Sequence, residues 1–181
     1  MASARAVDLF RRVDAIEYAW CLRLNRGCNS IAIRTLFSTV SWLGDGKFWY
    51  ALVLSLPFVY GDSGTLPAIR MALVGFAGLA LYKYLKHHLV RERPYISVAG
   101  IVAGTKALDR YSFPSGHTLH AVSFTVLATL SFPELALLLV PFAVLVAASR
   151  VVLGLHYPSD VAAGAIIGAS LAMSSTILFP L

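Results

Sequence analysis

The chain has 181 residues, of which 58% are hydrophobic and only 13% charged, and its mean hydropathy is +0.73. Soluble domains carry roughly 25% charged and about 45–50% apolar residues, so this balance excludes an ordinary water-soluble globule and predicts one integral membrane domain. The net charge of +6 does not predict a nucleic-acid partner, because the basic residues gather at segment ends and in one loop instead of forming a stripe interleaved with aromatics.

Residues 1–14 hold three arginines and two aspartates but no apolar run long enough for a cleavable signal. From about residue 7 to residue 26, Leu9, Val13, Ile16, Trp20 and Leu24 recur in steps of three and four, the mark of one helical stripe. Arg5, Asp8, Arg11, Arg12, Arg23 and Arg26 lie largely off that stripe, which predicts a helix lying in the headgroup plane. A second amphipathic segment, residues 31–43, carries Ile33, Leu36, Phe37 and Val40 in register with Arg34, and it is too short to span. Residues 1–43 therefore read as an interfacial region. Cys21 and Cys28 match no zinc or redox spacing and read as reduced thiols.

Gly44-Asp45-Gly46 is a turn signal, after which residues 47–179 read as a bundle of five spans. The spans are residues 47–60, 67–88, 114–132, 133–152 and 158–179. A Gly61-Asp62-Ser63-Gly64 turn, a basic loop over residues 89–112 and a short loop over 153–157 separate them. In the last span Gly164 and Gly168 form a small-xxx-small pair, which predicts close helix packing. Five spans bring the N-terminal region and both polar loops to one face. The arginines between Arg5 and Arg34 mark that face as cytoplasmic.

Polar groups at the ends of apolar segments are functional-site hypotheses by default. Lys86 and Arg93 are seven residues apart, so a continuous helix would bring them to nearly one face, and Pro94 predicts a helix end at Arg93. Pro114-Ser115-Gly116 precedes an apolar helix, placing backbone N–H groups, a hydroxyl and the positive helix end where an anion would sit. Arg150 adds a planar fork of donors matched to phosphate oxygens. His156 and Asp160 are four apart across Pro158, which places Asp160 in the first turn of the last helix. From there a carboxylate reaching back fixes the imidazole tautomer and leaves the other nitrogen nucleophilic. His117 is then available to protonate a leaving oxygen. His87, His88 and His120 read as structural.

At these positions the chain resembles the type 2 phosphatidic acid phosphatase superfamily, which includes membrane lipid phosphate phosphatases, glucose-6-phosphatase and soluble vanadium-dependent haloperoxidases. The resemblance rests on three motifs: Lys86 through Arg93-Pro94, Pro114-Ser115-Gly116-His117, and Ser149-Arg150 with His156 and Asp160. It implies that His156 attacks phosphorus and becomes a phosphohistidine, that Asp160 orients it, and that His117 protonates the leaving group and later activates water. Lys86, Arg93, Ser115, Gly116 and Arg150 would hold the phosphoryl oxygens. No metal or other cofactor is implied. Many bacterial relatives carry a further leading span. Its lack here favours a site on the cytoplasmic face of a bacterial inner membrane.

The expectation is an all-α integral membrane helical bundle with N-terminal amphipathic interfacial helices. It would hydrolyse a lipid phosphate: phosphatidic acid, phosphatidylglycerophosphate or a polyprenyl pyrophosphate. Its partners would be that lipid and the bilayer. Oligomeric state is not encoded in these features. Lys106 and Arg110 are candidates for contacting a second phosphate. The rival readings are a lipid phosphotransferase, a vanadate-dependent haloperoxidase, and an anion-binding or transport protein without turnover.

Overall fold

The structure is a computed structural model that describes residues 4–107 and 109–178, with side chains from residue 15 onward. Within it the elements run α1 (Ala4–Asn25), α2 (Ile31–Trp42), α3 (Phe48–Tyr60), α4 (Asp62–His88), the short α5 (Pro94–Ser97), α6 (Gly116–Ser131), α7 (Ala136–Val152) and α8 (Pro158–Leu178). Among the described residues no strand forms beyond one isolated bridge, Glu92 to Tyr111. The stripe residues Leu9 and Val13 fall outside the described side chains, and the expected span end at Phe179 lies outside the described residues.

Among the described residues three helical stretches are long and apolar enough to cross a bilayer: Asp62–His88, Pro133–Val152 and Pro158–Leu178. The other two expected spans form shorter helices, α3 with 13 residues and α6 with 16. At 1.5 Å per residue they cover roughly 20 and 24 Å. The bundle is built from α6 against α8, α4 against α6, α3 against α4 and α2 against α7. Its core surrounds the fully buried Trp49 with Leu56, Met71, Phe124, Leu127 and Leu139.

Where the chain reverses, glycine sets the geometry. Gly61 adopts φ +59° between α3 and α4, so the turn is one residue and helix resumes at Asp62. That is five residues earlier than the sequence reading, because Asp62 in the first turn complements the helix N-terminal charge. Gly164 and Gly168 confirm the close packing expected of them. A Cβ on Gly164 would stand 2.5 Å from the Ser115 carbonyl oxygen, and one on Gly168 2.3 Å from that of Leu119. In lipid, helix association rests on such packing, since hydrocarbon is as apolar as leucine.

α1 packs on α7 and α8, and its end is pinned by Asn25. The Asn25 amide donates to the carbonyls of Val102 and Val152 at 2.9 Å each, and its oxygen accepts from Val102 N at 2.9 Å. Cys21 and Cys28 are both free and buried, as expected. Burial pushes the Cys21 thiol up to about 12, leaving it protonated and inert.

Replacing Gly168 by Val should lower the melting temperature in detergent, since overpacking against backbone costs about 1–3 kcal/mol or more. Ala162→Val, at an exposed position of the same helix, should melt like wild type. Equal melting of all three proteins would contradict the packing argument.

Candidate active site

The last turns of α4 and α7 and the first turns of α6 and α8 converge at one end of the bundle. Lys86, Arg93, Gly116, His117, Arg150 and His156 line a single cavity there of about 420 Å³. Ser115 and Asp160, both fully buried, sit behind its wall. All eight residues singled out in the sequence are thus gathered by the fold.

His156 lies in the tight 153–157 loop, its backbone N–H bonded to the Arg150 carbonyl at 3.0 Å. Its Nε2 is 3.1 Å from an Arg93 guanidinium nitrogen. A guanidinium offers only donors, so Nε2 is the acceptor, carries the lone pair, and leaves the proton on Nδ1. That Nδ1 faces Asp160 Oδ2 at 3.7 Å and has no hydrogen-bond partner among the described residues. The separation is longer than a hydrogen bond. Asp160 itself is fixed from both sides: Oδ2 accepts from Tyr157 N at 2.8 Å and Oδ1 from Arg91 at 2.8 Å. Burial, followed by the charges of Arg150, Arg93 and Lys86, holds the His156 pKa well below the ordinary histidine value. The ring is therefore neutral at physiological pH, as a nucleophile must be.

The cations meet by a different route from the one the spacing suggested. α4 ends at His88, not at Arg93, and residues 91 and 92 pair with 111 and 112 through Ser112 N–H to the Arg91 carbonyl at 2.7 Å. Lys86 and Arg93 converge on Asp109. Lys86 Nζ binds both carboxylate oxygens at 2.9 and 2.7 Å, and Arg93 donates to Oδ1 at 2.9 Å. Partial burial alone would raise the Asp109 carboxyl, but these two cations hold it below its usual range. Arg150 is buried. One of its terminal nitrogens donates to Ser41 Oγ, and its Nε has no partner among the described residues. An orphaned buried donor costs about 1–3 kcal/mol, a cost that an incoming oxyanion would remove. Ser115 caps α6, its Oγ 2.9 Å from Thr118 Oγ1 and 3.5 Å from Thr118 N. Its own N–H donates to the Asp160 carbonyl at 3.0 Å.

His117, in the first turn of α6, has Nε2 3.4 Å from Asp45 Oδ1. Asp45 and Gly46 form a break between α2 and α3, with Gly46 at φ +103°. Sequence reasoning read this tripeptide only as a turn and missed its carboxylate. It also missed Asp109, Arg91 and Ser41, none of which belongs to a local pattern. Lys106 and Arg110 are exposed and do not line the cavity; Arg110 pairs with Glu92. His120, read as structural, bridges helices, with Nδ1 2.9 Å from the Gly116 carbonyl and Nε2 3.1 Å from that of Gly75.

The site therefore presents an oriented neutral imidazole facing a cluster of three cations, with a second imidazole across the cavity. Residues 67–180 match the family model of the PAP2 superfamily. The chain belongs to the PAP2 superfamily. Among curated PAP2-type relatives, it is 35% identical over 112 residues to a lipid A 1-phosphatase of Rhizobium johnstonii, covering 59% of this chain and 45% of that one. It is 29% identical over 113 residues to the undecaprenyl-diphosphatase BcrC of Bacillus subtilis, covering 62% of this chain and 58% of that one. The chain thus spans about half the length of these relatives. The fold is that of the crystal structure of a transmembrane PAP2 type phosphatidylglycerolphosphate phosphatase from Bacillus subtilis, with a TM-score of 0.74 and 24% identity over 92% of this chain and 86% of that one. The protein is an integral membrane PAP2 protein.

Two outcomes follow from the charges. The unfolded chain takes up a proton on a histidine near pH 6.5, whereas the folded His156 resists it. Its contribution to stability is present above that pH and is lost as the pH falls towards the folded value. The ¹⁵N signal of His156, assigned by its absence in His156→Ala, should keep neutral-imidazole shifts at pH 6; imidazolium shifts there would refute the assignment. Asp109→Asn should tighten inhibition by orthophosphate about two- to fivefold, the scale of a half-exposed ion pair. Weaker inhibition would show that Asp109 assembles the cradle instead of competing for it.

Proposed function

We propose that the protein is a metal-independent lipid phosphate phosphatase acting through a phosphohistidine. The observation that carries this reading is the shape of the cavity. The chamber holding His156 and the three cations continues into an apolar groove between α3, α4 and α6, lined by Trp49, Val53, Leu54, Phe76, Leu79 and Phe124. Leu54 is 67% and Phe76 71% exposed on the bundle's outer surface. A phosphate seated on Lys86, Arg93 and Arg150 would therefore carry an apolar tail that leaves sideways into the bilayer.

In this mechanism His156 Nε2 displaces the leaving oxygen in line at phosphorus, and Asp160 stabilises the imidazolium that forms. Arg93, now released from Nε2, joins Lys86, Arg150 and the backbone N–H of Gly116 in binding the equatorial oxygens. His117 gives its proton to the leaving oxygen, then takes one from the water that cleaves the phosphohistidine. The relatives are a lipid A 1-phosphatase, an undecaprenyl-diphosphatase and a phosphatidylglycerolphosphate phosphatase. All three are named for phosphorylated lipids, and this chain's substrate belongs to the same class. The catalytic end faces the cytoplasm of a bacterial inner membrane in this reading, with five passes and with α1 and α2 at the interface.

The test is phosphate release by detergent-solubilised protein in EDTA, with phosphatidic acid, phosphatidylglycerophosphate and a polyprenyl pyrophosphate as substrates. Wild type should release phosphate from at least one of them, and His156→Ala should fall by at least about a thousandfold, the scale of losing a nucleophile. His117→Ala given p-nitrophenyl phosphate, whose leaving group needs little protonation, should accumulate an acid-labile, base-stable phosphoenzyme. No release from any substrate would leave an anion-binding protein without turnover.

A further inference from the structure

One cluster of charges joins Asp160 to Arg91, a variable position of the first motif, and to Glu17 of the N-terminal helix. Arg91 reaches behind the catalytic wall, and one of its terminal nitrogens donates to Asp160 Oδ1 at 2.8 Å and to Ser159 Oγ at 2.7 Å. The other donates to Glu17 Oε2 at 2.7 Å, and Glu17 Oε1 accepts from Ser159 N, also at 2.7 Å. The guanidinium lies flat over the Tyr157 ring, 3.9 Å from its centroid. Both terminal nitrogens of that group thus bind the start of α8 or α1.

We infer that Glu17 and Arg91 form a positioning clamp for Asp160, which makes the N-terminal helix a working part of the catalytic apparatus. The inference rests on the reading that Asp160 orients His156. A carboxylate with no solvent exposure needs a counter-charge to stay ionised, and Arg91 is the cation that contacts it. Arg91 also fixes which oxygen faces the histidine: with Oδ1 held by the guanidinium and Oδ2 by Tyr157 N, the carboxylate cannot rotate away from Nδ1. Glu17 sets the angle of the guanidinium. Without it, a side chain 29% exposed is free to swing towards anionic lipid headgroups.

Glu17 sits on α1 beside Ile16 and Trp20, which are 59% and 56% exposed. The same turn of helix therefore carries an outward apolar flank and an inward carboxylate. Seating that flank in the bilayer holds Glu17, and through Arg91 it holds Asp160. Neither residue touches the cavity, so both are positioning residues.

The full chain in detergent is assayed on p-nitrophenyl phosphate and on the best lipid of the panel above. Arg91→Ala should lower kcat about ten- to a hundredfold, the usual scale for removing a group that orients a catalytic residue, with KM changed less than about twofold. Arg91→Lys should recover part of that loss. Glu17→Ala should lower kcat about three- to tenfold alone yet add nothing to Arg91→Ala, because Glu17 acts through Arg91. The ¹⁵N spectrum of His156 provides a readout that does not need turnover: both single variants should mix the two neutral tautomers. Additive losses, a rise in KM at constant kcat, or an unchanged His156 spectrum in a folded Arg91→Ala protein would overturn the clamp. A protein that hydrolyses nothing but shows the tautomer change would keep the clamp and discard the phosphatase.

Discussion

The contact on which the site depends is backbone against backbone, where α6 meets α8. Gly164 and Gly168 let α8 approach until its axis lies against the carbonyls of Ser115 and Leu119. At that closeness the Ser115 N–H reaches the Asp160 carbonyl. The link matters because His117 belongs to α6 whereas His156 and Asp160 belong to the start of α8 and the loop before it. The two imidazoles that face the cavity are thus referenced to a single rigid seam. A bilayer gives no hydrophobic reward for bringing helices together, so the small residues themselves hold the seam.

Around that seam the charges are arranged as offsetting pairs. Three cations in a chamber of this size would repel one another, and each has been given an acidic or hydroxyl neighbour: Asp109 for Lys86 and Arg93, Ser41 for Arg150. The carboxylate of Asp109 presents two oxygens to two cations much as a phosphate would. The cradle is therefore preorganised around an anion-shaped group supplied by the protein itself. Asp160 is different in kind, since it is fully buried and cannot exchange its partners for water.

Much of this was legible in the sequence, for identifiable reasons. Lys86, Arg93, Gly116, His117, Arg150 and His156 belong to segment ends whose apolar flanks fix where they emerge, so reading the spans nearly reads the site. Asp160 was legible because Pro158 starts a helix and four residues fix a distance. The end of α4 at His88 was legible from the apolar span but not from Pro94, which restrains only Arg93, whereas residues 91 and 92 pair with 111 and 112. Nor were the partners of these site groups legible. Arg91 lies 69 residues from Asp160 and 74 from Glu17, and no local periodicity records a contact at that separation. Asp45 was hidden in a sequence whose glycines announce a turn and say nothing about where its carboxylate points.

Asn25 has a consequence for how the N-terminal helix and the basic loop depend on each other. Its amide spends two donors on carbonyls and one acceptor on an N–H, so the pattern of polarity is complete in one side chain. Aspartate has the same shape but would turn an acceptor towards both carbonyls, and leucine would strand all three backbone groups. The loop that carries Asp109 is thereby stitched at Val102 to the same helix that carries Glu17. A change of polarity at this one position would therefore release the loop at Val102 and the end of α1 together.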